Sequence, residues 1–483
     1  MPGSLLGNAV RRIEDPDLLV GRGTYVDNLD LGGALRLAFV RSPMAHARIR
    51  GVDTSDARAM PGVVAVYVAE DLRIPPHHPF MVLNEDCKRP PLAEGKVRFV
   101  GDAVAVVVAE GAAQAADAAE AVVVDYDPLP AVVDPADALA PDAPLQFEEL
   151  GSNLAAGRRD PRGEEALADA EVVVRGCFEN QRVAVVPMEG NAIAVVPGPG
   201  GAEGPRLTVY VSTQMPHGFA GRVADLFDLA PGELRVITPH VGGAFGAKAG
   251  LGPEHAVAIA CALALGRPVR YADTRSENLV AMPHGRSQRQ YVELGLTRDG
   301  RITGLRCRVL GDAGAYAGFG GALPMGPTRM MAQGVYRIPR VAYDVAVALT
   351  NTTPLGAFRG AGRPEAAAML ERLMDLAAAE MGMDPAELRR VNLLQPEEFP
   401  VTTQVGTTYD TGDYETALDT ALSLAGYEDA RAEQAARRQR GDRHQLGIGL
   451  ATYVEVTAGA GPRSTARWRS TRTAPPPWPL GPR

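Results

Sequence analysis

No apolar run in this chain approaches the roughly 18 residues of a membrane-spanning helix. The first residues also lack the apolar core of a signal peptide, which predicts a cytoplasmic protein without a membrane span. Cysteine is scarce, and Cys87, Cys177, Cys261 and Cys307 form no Cys-x-x-Cys pair. That spacing is wrong for a zinc or iron–sulfur site and predicts buried free thiols in a reducing compartment. The eight histidines are dispersed; only His77 and His78 adjoin, in the Pro-rich turn Pro75–Pro79, read here as a solvated loop. No protein-ligated metal is expected. Nor is there a basic excess: 49 Lys and Arg against 58 Asp and Glu give a net charge of −9. That balance argues against a nucleic-acid partner.

The 483 residues present suffice for about three domains. Leu35–Val40 and Val63–Val68 alternate as strands, and 97–108 reads as a buried strand pair. Ala112–Glu120 is an Ala-rich helix, followed by a strand over 121–126. Residues 136–165, rich in Ala, Asp, Pro and Gly, read as a surface linker. Further on, strands are expected near 171–175, 207–212 and 234–238. Helices are expected over Pro253–Leu265, stopped by Gly266, and over Pro364–Met381. Asp384 and Pro385 supply an N-cap and a first-turn proline for another. Gly447–Glu455 reads as a strand, and the Arg- and Pro-rich 463–483 as an aberrant or disordered tail.

Two glycine-studded loops carry the chemistry. Val241–Lys248 follows a strand and places Gly243, Phe245 and Gly246 beside a lysine. It has neither the Gly-Lys-Ser/Thr ending of a nucleotide P-loop nor Gly-x-Gly-x-x-Gly. Pro354–Glu365 contains Gly356, Ala357, Phe358, Arg359, Gly360 and Arg363. Glycine admits close approach of a ligand to backbone N–H groups, and Arg binds planar oxyanions. Two such loops point to one large anionic cofactor between them; a tight turn around a packed Phe245 is the alternative for the first. Thr213-Gln214 ends a strand, where an amide serves as a cap or as a donor to a ligand. Glu189 is read as an ion-pair partner of Arg182, with general-base use as the alternative.

Taken in order, these strings resemble the molybdenum-binding large subunit of the xanthine dehydrogenase / aldehyde oxidase / carbon monoxide dehydrogenase family. Arg12-Ile-Glu-Asp, Gly21-Arg-Gly-Thr-Tyr, Ala38–Pro43 with His46, Tyr126–Pro130, Asn180-Gln-Arg and Asp384–Asn392 extend the likeness from about Arg11 to Pro462. The resemblance implies an α+β chain. It divides into an arm (1–16), an α/β hammerhead domain (17–135), the linker (136–165), a first molybdopterin-binding domain (166–395) and the start of a second, incomplete one (396–462). It implies molybdopterin with Mo, in cytosine dinucleotide form, and FAD and 2Fe-2S only on partner subunits. Those partners would be an FAD-binding medium subunit and a 2Fe-2S small subunit, in a dimer of heterotrimers.

In such enzymes a Mo-bound hydroxide attacks the substrate carbon and hydride passes to the Mo centre. Carried over, Gln214, Phe245 and Arg359 are the catalytic positions. Gln214, Gly243, Phe245, Gly246, Ala357, Phe358, Arg359 and Gly360 are the cofactor-binding ones. Ala249 stands where purine oxidisers carry a glutamate, and Gly360 where CO-oxidising members carry a copper-binding cysteine. Gly360, Ala361 and Gly362 are expected to leave room for substrate. An aldehyde or N-heterocycle is therefore the expected substrate. The family's general-base glutamate has no counterpart here, as if the chain were truncated or frameshifted. An inactive remnant or a binding and assembly module is the alternative, and a nucleotide-binding protein a weaker third.

Overall fold

The computed structural model describes residues 7–456; the tail at 463–483, with its aberrant composition, lies outside them. Val and Ala fill Ala103–Ala109, every residue of which is buried. A strand apolar on both faces belongs inside a sheet covered on both sides. It lies next to the edge of a seven-stranded sheet whose order is Leu234–Ile237, Leu207–Val211, Ala192–Pro197, Val269–Ala272, Leu35–Arg41, Ala103–Ala109, Val63–Val68. The N-terminal strands and the later ones meet where Leu35 and Arg36 pair in parallel with Val269 and Arg270. The hammerhead segment and the segment after it therefore share one sheet.

Helices Pro216–Phe227 and Pro253–Leu265 bury their apolar residues against this sheet. The second begins with Pro253 and ends at Gly266, whose φ of +61° is the left-handed cap geometry. A five-stranded sheet forms the other main layer, in the order Leu154–Arg158, Val341–Leu349, Ile302–Gly314, Gln288–Leu296, Val172–Asn180. The 19-residue helix Arg363–Met381 packs on it through Met369, Leu370, Leu373 and Met374. Asp384 caps the next helix by accepting from the Ala386 N–H.

Three expectations need correction. The stretch read as a linker supplies the edge strand Leu154–Arg158, because Val345–Ala348 leave an open ladder that it fills. Residues 97 and 103–109 do not pair with each other: Val97 joins a three-stranded sheet with Ala47–Asp53 and Val123–Pro128. Gly447–Glu455 is not a strand. Its backbone bonds to buried side chains instead, Thr452 N–H to Glu371 at 2.8 Å and Leu450 C=O from Arg389 at 3.0 Å. A ladder needs a partner strand, and here side chains take its place.

Candidate functional site

The first loop is clamped from behind. Gly242 N–H donates to the Glu189 carboxylate at 2.8 Å, and Glu189 N–H returns a bond to Gly242 C=O at 3.0 Å. Lys248 Nζ reaches Glu189 at 3.1 Å and Ser212 Oγ at 2.7 Å, while Ser212 Oγ donates to Glu189 at 2.6 Å. The Lys248 side chain is fully buried. Desolvation holds its pKa below the usual lysine value, and Glu189 pulls it back up. Lys248 is thus a structural cation turned away from the loop's open side. Glu189 pairs with it rather than with Arg182; Arg182 bonds Asp312 at 2.6 Å.

The same knot positions Gln214. Its N–H and the Thr213 hydroxyl both bond to Lys248 C=O, at 3.2 and 3.1 Å. Gln214 Oε1 then accepts from Gly246 N–H at 3.0 Å. The amide orientation is fixed by that donor, and the Gln214 NH2 faces away from it.

The second loop is held by Arg286, which sequence reasoning missed. Its guanidinium donates to Phe358 C=O at 3.3 Å and Arg359 C=O at 2.9 Å, pairs with buried Glu365 at 3.2 Å, and stacks over the Phe358 ring. Glu365 also accepts from Gly362 N–H at 2.9 Å, closing the turn onto the helix that follows. Arg286 lies about seventy residues upstream, outside any local motif, so no spacing signal marks it.

The loops come together at Gly246 and Ala357. Gly246 has φ +103°, and a Cβ there would stand 2.5 Å from Ala357 C=O. Only glycine permits both the conformation and the approach. Around this contact Gln214, Phe245, Gly246, Ala357 and Arg359 line one concavity with Ala249, Ala361, Phe80 and Phe319. Phe245 is 43% exposed at φ +49°, and the Arg359 side chain is exposed with no ion-pair partner among the described residues.

Of the remaining expected positions, Gly243 packs beneath the Phe245 ring and Pro187, and Phe358 lies under Arg286. Gly360 and Gly362 do not leave open room. Added Cβ atoms would meet Pro364 at 2.5 Å and the Pro327–Thr328 turn at 2.8 Å, so these glycines serve packing. Space in the concavity comes from Ala249 and Ala361. Phe80 was also missed, because Pro75–Pro79 looked like a solvated turn. His78 is instead buried against Asn84 C=O, and Pro79 C=O abuts Gly250 so closely that no side chain fits between them.

The family description "Molybdopterin cofactor-binding domain" matches residues 147–393, and "Aldehyde oxidase and xanthine dehydrogenase, a/b hammerhead domain" matches 20–130. The carbon monoxide dehydrogenase large chain of Hydrogenophaga pseudoflava is 39% identical over 93% of this chain and 58% of its own length. The nicotinate dehydrogenase large molybdopterin subunit of Eubacterium barkeri is 30% identical over 88% of this chain and 99% of its own length. Quinoline 2-oxidoreductase from Pseudomonas putida 86 superposes with a TM-score of 0.84 at 36% identity, over 90% of this chain and 56% of that one. The chain thus spans little more than half of most of these relatives.

Proposed function

Because this chain belongs to the molybdopterin-binding aldehyde oxidase and xanthine dehydrogenase family, we propose that its two glycine loops hold the pterin cofactor and that the parent reaction is oxidation of an aldehyde or N-heterocycle. The observation that carries this is the convergence of Gln214, Gly246 and Arg359 on one concavity. The residues fit such a group. Gln214 offers an oriented amide donor, Gly246 a backbone that no side chain obstructs, and Arg359 an exposed cation, without an ion-pair partner among the described residues, suited to an oxyanion.

When bound, the molybdenum group supplies the two-electron oxidising centre. The chain contributes placement. Arg286 and Glu365 keep the Phe358–Gly360 backbone rigid; Glu189, Ser212 and Lys248 do the same beneath Phe245. Arg359 binds the anionic side of the cofactor, and Phe80, Phe319 and Phe245 exclude water from the reacting edge.

The substrate reading rests on what is absent from the walls. Ala249 brings no carboxylate to bind a purine. Gly360, at φ +98° against Pro364, has no room for a thiol-bearing side chain, which disfavours a copper-bridged CO site. The cytosine dinucleotide form, the FAD and 2Fe-2S partner subunits, the dimer of heterotrimers and a cytoplasmic location belong to the same proposal.

The test is chemical analysis. The chain, purified from a host that makes molybdopterin, should retain molybdenum with about two organic phosphates per metal, as the diphosphate of the cytosine dinucleotide form requires, whereas about one would mark the bare pterin. With its partners it should oxidise aldehydes or N-heterocycles using an artificial electron acceptor. Protein free of pterin would sink the reading. Bound pterin without turnover would favour the alternative, a binding and assembly module.

A further inference from the structure

Arg286 and Ser287 hold φ of +67° and +59°, the one adjacent pair of non-glycine residues in the left-handed region among the described residues. That conformation is costly for a residue with a side chain, and it persists where the surroundings enforce it. Just before the pair, His284 runs beside the second glycine loop. Its N–H donates to Pro354 C=O at 3.2 Å, and its C=O accepts from Gly356 N–H at 2.6 Å. Just after, Gln288 opens the strand Gln288–Leu296. The turn between them sends the Arg286 guanidinium to the Phe358 and Arg359 carbonyls.

Asp312, 3% exposed, enforces the turn. Its N–H donates to Ser287 C=O at 3.2 Å, and its carboxylate accepts from Ser287 Oγ at 3.3 Å. The same carboxylate accepts from Gly314 N–H at 2.7 Å and Thr350 Oγ1 at 2.8 Å. Arg182 completes the set. Its Nη2 donates to Asp312 at 2.6 Å and to Thr352 Oγ1 at 2.5 Å. Its Nη1 donates to Thr353 C=O at 2.6 Å, at the root of the second loop, and lies 3.4 Å from His284 Nδ1. His284 Nε2 bonds Leu279 C=O at 2.8 Å, so the ring proton sits there and Nδ1 is left as an acceptor. Arg182 thus ties the Asp312 strand, the His284 segment and the loop root to one another.

We propose that Arg182 is a positioning residue: with Asp312 it enforces the left-handed pair, and the pair aims Arg286 so that the Phe358–Gly360 backbone and Arg359 are set for the cofactor. This role rests on the reading of the second loop as part of the cofactor cradle. The acceptors around Arg182 lie on three segments, and a planar fork reaches them where a point cation does not.

Hydrogen exchange read by mass spectrometry, on the purified 483-residue chain without cofactor, tests the role. Arg182→Lys keeps a cation beside Asp312 and loses the fork. Residues 354–363 should then exchange about tenfold faster, with helix Pro253–Leu265 unchanged. Ser287→Gly takes the φ of +59° without strain, so the double variant should return 354–363 to the natural rate. An arginine that only adds stability would not be replaced by a glycine that makes no side-chain contact. In a host that makes molybdopterin, molybdenum should be lost in Arg182→Lys and regained in the double variant. Unchanged exchange in Arg182→Lys, no rescue by Ser287→Gly, or as much molybdenum in Arg182→Lys as in the natural chain would each overturn the role. If Arg182→Lys does not fold, the double variant decides: natural exchange supports the role, and an unfolded chain is a failed rescue. The exchange needs no cofactor, so its failure is separable from a failure to hold molybdopterin.

Discussion

Gly246 N–H donates to Gln214 Oε1 at 3.0 Å, and this single bond decides which end of the Gln214 amide meets a ligand. A carboxylate would accept the same bond but present a second oxygen where the amide presents N–H. Gln214→Glu should therefore retain the fold and lose turnover by about 10²–10³, the usual scale for one preorganised donor. Steady-state kinetics beside molybdenum analysis checks this, and unchanged turnover would remove Gln214 from the site.

Arg359 and Arg286 differ in what they hold. The Arg359 side chain is exposed, without an ion-pair partner among the described residues, so Arg359→Ala should leave the melting temperature in place and lose molybdenum. Arg286→Met strands buried Glu365, a change that costs about 3–5 kcal/mol in comparable pairs. Its melting temperature should fall by several degrees. Normal cofactor content in Arg359→Ala would sink its role.

Gly246→Ala should damage both stability and cofactor content. The new methyl group would stand 2.5 Å from Ala357 C=O at a φ that side chains rarely adopt. A cost of about 1–3 kcal/mol is expected from such strain, read out by thermal melting.

Acid should act through two opposing groups. Burial lowers His255 to about 4, and its Nδ1 accepts from Gly252 N–H, so it is held neutral. A group held below its unfolded pKa of about 6.5 loses stability as pH falls through that window. Asp273 is pushed up to about 6 by burial, so the folded state takes up its proton more readily and gains stability as pH falls from 6 towards 4. Asp273→Asn removes the compensating group. Its melting temperature should fall more steeply than that of the natural chain between pH 6 and 4, and parallel slopes would refute this.

The thiols separate by burial. Desolvation raises Cys87 to about 12 and Cys261 and Cys307 further still, whereas Cys177 is exposed. The expectation of uniformly buried thiols thus fails at Cys177, whose place on Val172–Asn180 turns its side chain outward. A thiol reagent should titrate one cysteine in the native protein and four in denaturant.

Local signals carried much of this fold. Gly266 and Asp384 mark helix ends because caps are local chemistry, and Ala112–Glu120 and Pro253–Leu265 stand where their composition placed them. The glycine loops were legible because glycine and arginine at close spacing have few structural uses. Contacts between distant segments were not. Nothing local to Lys248 shows that Glu189 and Ser212 enclose it, and Phe80 is hidden in a turn whose burial depends on Gly250. Arg286 serves a loop it does not neighbour in sequence.

The parallel pairing of Leu35 and Arg36 with Val269 and Arg270 has a consequence for cooperativity. Residues more than 230 positions apart close one ladder, so neither side of it can complete its hydrogen bonds alone. The N-terminal segment is thus not a detachable module. Melting should proceed as a single event across that ladder, and a cut in the segment between the two strands should leave the pieces associated rather than release a folded hammerhead.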